Sequence, residues 1–207
     1  MANPSIETSN VRTLAPASEA HHRELVDIAT SSTWFMAALR AVRDLHLSSW
    51  CIGAGAVRNL VWDALHYYET PSELADVDVA YFDPLLLAQE RDRRLQAQLS
   101  ASLPVIPWEV TNQAGVHLWF EGYFGHSVEP LLSLEEAVAS WPEYATAVGI
   151  RLEADDSLTV IAPQGLDDLF SIVVRRNPTR VSVETYRRRV EHKQYAKRWP
   201  KVVVVPS

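Results

Sequence analysis

A single cysteine, Cys51, excludes an intrachain disulfide, and its place between Trp50 and Ile52 reads as a small apolar residue in a buried strand. Nothing beside it would lower a thiol pKa, so a catalytic cysteine is not expected. No apolar run approaches the roughly 18 residues that span a bilayer. The start, Met1-Ala2-Asn3-Pro4-Ser5, lacks the basic-then-apolar pattern of an export signal. These absences point to the cytoplasm and away from a membrane partner. Internal repeats and low-complexity tracts are missing too. The 47% hydrophobic and 22% charged content is ordinary globular usage, and 207 residues suffice for one α/β domain with a proper core.

Positive charge is scarce except near one end. The chain carries a formal charge of −7, yet Arg175 to Lys201 hold ten Lys/Arg against Glu184 and Glu191, so that segment is +8 and the rest −15. Long-range repulsion by the acidic body opposes a polyanion, so the basic segment is expected to solvate a helix face. Tyr186, Val190 and Tyr195 interrupt the charges and predict an apolar docking stripe on that helix.

Residues 1–18 are rich in Ser, Thr, Asn and Pro and predict a mobile leader, with a single domain over 19–207. From Glu19, apolar residues recur at helical spacing, and Ser31-Ser32-Thr33 offers a cap that divides the helix in two. Trp50-Cys51-Ile52, closed by Gly53 and Gly55 and followed by Val57, Leu60, Val61 and Leu65, predicts strand, tight turn and helix. Val77, Val79 and Tyr81 alternate with Asp76 and Asp78 as in a strand. A leucine-rich helix over 85–103, a strand over Trp108 to Asn112 and a capping box at Ser133 and Glu136 follow. A hairpin around Asp155-Asp156-Ser157 and a last helix over Ser182 to Trp199 complete the pass.

Asp76-Val77-Asp78 places two carboxylates on one strand face, where they repel each other unless a cation lies between them. Hard oxygen ligands side by side suit Mg²⁺ (or Mn²⁺), which takes one or two protein carboxylates and completes its shell with water and phosphate. About twenty residues upstream, Gly53-Ala54-Gly55-Ala56 opens a helix, and small residues let phosphate approach its free N–H groups. The turn lacks the third glycine of a dinucleotide fingerprint and the Gly-Lys-Ser/Thr ending of a P-loop. Arg58, one turn into the helix, would bridge phosphate oxygens or pair with a nearby acid. Asn112 and Gln113 would read a base or sugar hydroxyl, or satisfy loop backbone groups. His66, His117 and His126 stand alone, without metal-ligand spacing.

The stretch Ala54-Gly55-Ala56-Val57-Arg58-Asn59, a helix, then Ala75-Asp76-Val77-Asp78-Val79-Ala80 resembles the head of tRNA CCA-adding enzymes. It also resembles the wider DNA polymerase beta-like nucleotidyltransferase superfamily. Over about residues 20–205 the chain resembles the bacterial group called nucleotidyltransferase family protein, formerly a domain of unknown function. Trp108-Glu109-Val110-Thr111-Asn112-Gln113, Trp141-Pro142 and Pro163-Gln164-Gly165-Leu166-Asp167-Asp168-Leu169-Phe170 carry that likeness. Ala54 departs from it, standing where the CCA-adding pattern has its first glycine.

The resemblance implies an α/β (α+β) polymerase beta-like fold, a mixed sheet flanked by helices, and transfer of a nucleoside monophosphate from a nucleoside triphosphate to a hydroxyl. It implies metal binding by Asp76 and Asp78, with Glu109 as the third carboxylate. The nucleotide is expected at Gly53, Gly55, Ala56, Arg58 and Asn112, and a small-molecule or protein acceptor is favoured over nucleic acid. The alternative is a nucleotide-binding or antitoxin-like module that keeps the fold without turnover, which a Glu109 remote from the aspartates would indicate.

Overall fold

The computed structural model describes residues 16–207, so most of the leader expected over 1–18 lies outside the described residues. Two helices come first, α1 (Pro16–Ser31) and α2 (Thr33–Arg43), divided where Ser32 Oγ accepts the Phe35 N–H at 3.4 Å. Strand β1 (Trp50–Gly53), helix α3 (Gly55–Leu65) and strand β2 (Val77–Tyr81) then run as the spacing predicts. Helix α4 (Gln89–Ser102) starts four residues later than the leucines at 85 and 86 suggest, because both are exposed in the loop after Asp83-Pro84. Strand β3 (Trp108–Asn112) leads into α5 (His117–Phe124), and α6 (Leu134–Ala139) is capped by Ser133.

The hairpin β4 (Gly149–Leu152) and β5 (Leu158–Ile161) is followed by α7 (Asp167–Phe170) and β6 (Val173–Val174). The last predicted helix is two, α8 (Val183–Lys193) and α9 (Tyr195–Arg198), broken where Gln194 adopts φ 47°. The chain closes with β7 (Val203–Val204), parallel to β6. No helix among the described residues is long and apolar enough to cross a membrane.

The main sheet has the order β3-β2-β1-β4-β5, with β2 and β3 parallel and its other pairs antiparallel. Alternation assigns its two faces different work. Val77, Val79 and Tyr81 of β2 and Trp108 and Val110 of β3 join the main core, into which α1 to α4 also send buried side chains. The opposite face carries small residues, Cys51 and Ala80, packed with Leu134 and Val138 of α6. Beside that cluster the same face presents Asp78, Glu109 and Thr111, and there a cavity opens. Docking of the C-terminal helices follows the predicted stripe: Tyr186 and Tyr195 are buried, and Val190 packs on the core.

Candidate active site

Parallel pairing of β2 with β3 sets Asp78 directly beside Glu109, two acids in register on neighbouring strands that run about 5 Å apart. Asp76 stands just before β2 and lines the same cavity. Burial, then the charges of Asp76 and Glu109, push the Asp78 carboxyl up to about 7. Burial and Asp76 also raise Glu109, while Lys193 opposes the shift. Among the described residues no three His, Cys, Asp or Glu side chains are arranged to hold a metal by themselves.

On the other side of β2, β1 pairs Ile52 with Val79, which brings the Gly53–Gly55 turn alongside Asp78 and Asp76. The three strands therefore order the site: glycine turn, aspartates, Glu109. A Cβ on Gly55 would sit 3.8 Å from Arg58 Nη2 and 3.9 Å from Asp76 Oδ1, ordinary contact distances. Glycine at 55 is thus not needed for packing, and it leaves the space between cation and carboxylate open. Gly53 differs: a Cβ there would come within 2.5 Å of the Trp141 ring and 2.7 Å of Val148 O, so its small size serves close packing. Ala56 is fully buried and, like Gly53, does not line the cavity, whereas Ala54 and Gly55 do.

Arg58 is buried, with its guanidinium carbon 5.5, 5.1 and 5.3 Å from the ring centroids of Trp62, Tyr195 and Trp199. Its hydrogen bonds go to a neutral amide, Asn59 Oδ1, at 3.2 Å from Nε and 2.6 Å from Nη2. Aromatic faces stabilise the cation without neutralising it, so its charge remains available to an anion in the cavity it lines. Helix α8 adds two more cations. Thr185, Arg189 and Lys193 recur every four residues, so all three face the cavity. That spacing is readable in the sequence, but only the neighbouring helix surface says which stripe is turned inward. Arg189 is held by Glu143, which is 1% exposed: Nε lies 2.7 Å from Oε1 and Nη2 3.2 Å from Oε2.

The cavity, about 430 Å³, thus has four cations, Arg58, Arg180, Arg189 and Lys193, and three carboxylates around one face of a sheet. Residues 40–204 match the family described as nucleotidyltransferase. This chain belongs to the nucleotidyltransferase family. An NMR structure described as revealing a CCA-adding enzyme head domain is similar at 28% identity, over 89% of this chain and 96% of that one, with a TM-score of 0.76. Two apo structures of a tRNA-processing enzyme align at 19% identity and TM-scores of 0.47 and 0.46, over 81% and 93% of this chain. The chain spans 44% and 45% of those larger proteins. No curated protein matches the sequence.

In this nucleotidyltransferase Asn112 is a correction to the sequence-based expectation. It is buried, its amide nitrogen donates to Asp83 O at 2.8 Å and Leu86 O at 2.9 Å, and its oxygen accepts from the Asp83 and Ala114 N–H groups. With donors and acceptor engaged it anchors the loop after β2 and has nothing left for a nucleotide. Gln113 lines the cavity in its place. His66 bonds Trp62 O, and burial, with Asp78 adding, pushes the Cys51 thiol far up and keeps it inert.

Ala54 caps α3 with φ 51° and ψ −122°, a conformation suited to glycine. Alanine at 54 is therefore a point of backbone strain in the turn that lines the cavity. Ala54→Gly is expected to stabilise this nucleotidyltransferase by about 1 kcal/mol. Urea unfolding measures it, and a destabilised variant would show that the alanine is relaxed.

Proposed function

We propose that this nucleotidyltransferase transfers a nucleoside monophosphate from a nucleoside triphosphate to the hydroxyl of a small-molecule or protein acceptor, with Mg²⁺ or Mn²⁺ held by Asp76, Asp78 and Glu109. The observation that carries it is the in-register placement of Glu109 beside Asp78, across the strand from the glycine turn. A remote Glu109 would have favoured a module without turnover. The donor set fits a hard cation, because burial and neighbouring acids raise Asp78 and Glu109, and a divalent ion needing only one or two of them directly would relieve that cost. When bound, the ion supplies charge stabilisation for the attacking and leaving oxygens.

The chain's own groups do the rest. The first-turn amide of α3 at Gly55 donates to the triphosphate, and Arg58, Arg189 and Lys193 oppose its charge. The acceptor hydroxyl attacks the α-phosphorus, a new O–P bond forms, and the bond to the bridging oxygen breaks. Pyrophosphate leaves with the electron pair, and the hydroxyl proton passes to Glu109 and on to water.

The charge balance supports an acceptor other than nucleic acid: outside Arg175 to Lys201 the chain carries −15, which opposes a polyanion at long range. Within that segment Arg188 is paired with Glu184.

Nucleoside triphosphates labelled at the α-phosphate, mixed with protein, Mg²⁺ or Mn²⁺ and cell extract, are expected to leave label on one acceptor. Absence of transfer from all four would refute the reading. Gly55→Val is expected to fold, because a Cβ there meets only ordinary contacts, and to bind nucleotide at least about tenfold more weakly by blocking backbone approach. Unchanged affinity in calorimetry would remove the turn from the site.

A further inference from the structure

One end of the cavity has no part in the chemistry described so far. Glu109 and Thr111 lie on one face of β3, and beyond them the chain passes through Gln113 and Val116 into α5. Each step of two residues along a strand advances roughly 7 Å, so this end lies past Glu109, away from the glycine turn. Its walls are apolar: Val116, Trp119, Phe120 and Phe124 meet Leu131 and Val181. Phe120 and Phe124 pack at 4.4 Å between centroids. Phe124 is nonetheless 47% exposed, and the whole chamber is open to a ligand of modest size.

Arg180 lines the same chamber, its guanidinium carbon 5.8 Å from the Phe120 centroid. Nη2 donates to Glu129 O, whereas Nη1 is buried and has no hydrogen-bond partner among the described residues. Glu136, the acid whose charge Arg180 feels, is engaged at the Leu132 N–H at 2.8 Å. A buried guanidinium nitrogen without an acceptor has lost its water without compensation, a cost that an incoming anionic oxygen would recover.

The geometry points to an acceptor subsite for a hydroxylated aromatic carboxylate, its ring between α5 and Val181, its carboxylate on Arg180 and its hydroxyl beside Glu109. This rests on the transferase reading, in which Glu109 serves the acceptor and the glycine turn serves the donor. The strand order puts those two functions on opposite sides of β2, so the chamber after β3 belongs to the acceptor. A ring between aromatic side chains and one charge-assisted bond supply orientation.

Calorimetry on the full chain tests the subsite without catalysis. The probes are para-hydroxyphenylacetate, para-hydroxyphenylpropanoate, the amides of both and a short oligoribonucleotide. At least one acid is expected to bind, and Arg180→Gln to weaken it by about tenfold or more, the scale of one charge-assisted hydrogen bond, with little effect on its amide. Phe124→Ser, at an exposed position that tolerates change, is expected to weaken acid and amide alike. Nucleoside triphosphate affinity stays the same in both variants.

Failure of both acids to bind, or equal losses for acid and amide in Arg180→Gln, overturns the proposal. So does weakened triphosphate binding in Phe124→Ser, which would make the chamber a nucleobase site, or displacement of the acid by the oligoribonucleotide. Acid binding that persists where no triphosphate binds would sink the transferase reading and leave the carboxylate subsite standing.

Discussion

Asp78→Asn is expected to abolish nucleotidyl transfer while raising the melting temperature of the metal-free protein at pH 8. The folded protein holds this carboxyl at about 7, through burial and then the charges of Asp76 and Glu109, against roughly 3.9 in an unfolded chain. The native state therefore binds the proton more tightly than the unfolded state, and stability falls as pH rises between those two values. The penalty is absent below about pH 4 and fully present above about pH 7. Asparagine removes it.

Each pKa unit is worth about 1.4 kcal/mol, and discounting for a partly solvated cavity leaves a gain of about 1–2 kcal/mol, or roughly 2–8 °C. Transfer is expected to fall at least about 10²–10³-fold, the scale of losing one preorganised electrostatic group. Melting curves at pH 5 and pH 8, with and without Mn²⁺, provide the check. Wild-type protein should lose stability between the two pH values and recover it with Mn²⁺, while the variant, which keeps only the raised Glu109, should do both to a smaller degree. A less stable Asp78→Asn at pH 8, or one that still transfers label, would remove Asp78 from the site.

Arg189→Met should carry the largest stability loss of any single change at the cavity. It strands Glu143, 1% exposed, whose remaining side-chain partner is the Thr146 hydroxyl at 3.0 Å. Breaking a buried pair from one side typically costs about 3–5 kcal/mol, because the other charge is left in a low-dielectric interior. At about 2–4 °C per kcal/mol for a chain of this size, the melting temperature should fall by roughly 6–20 °C. Adding Glu143→Gln removes the stranded charge and should restore most of the stability without restoring transfer, since the cation facing the triphosphate is still missing. A double variant as unstable as the single one would mean that packing, not charge, holds α8 in place.

Much of this protein was legible in its sequence, for local reasons. Alternation of Val77, Val79 and Tyr81 with Asp76 and Asp78 marked β2, Ser32 marked the division between α1 and α2, and Gly53 to Gly55 marked the strand-to-helix turn. Cys51 is buried in β1, as its apolar neighbours implied. Period, caps and turn residues act over three or four positions, so a single pass along the chain reads them.

The partners of those elements depended on tertiary structure. Parallel pairing put Glu109 beside Asp78, although 31 positions separate them, and nothing in either strand's own alternation specifies its neighbour. Arg58 acquired its cage from Tyr195 and Trp199 at the far end of the chain, and Arg189 found Glu143 across 46 positions. Asn112 looked like a ligand residue until the loop after β2 folded over it and took its hydrogen bonds.

Local sequence thus determined most of the elements, though not α5, β6 or β7, together with the paired aspartates and the turn that faces them, because a residue's periodicity and capping are set by its immediate neighbours. Only the tertiary structure decided which acids share a face, which cations look inward and which polar groups remain free. Those outcomes depend on packing surfaces far apart in the chain, where burial, charge and hydrogen bonding are settled together.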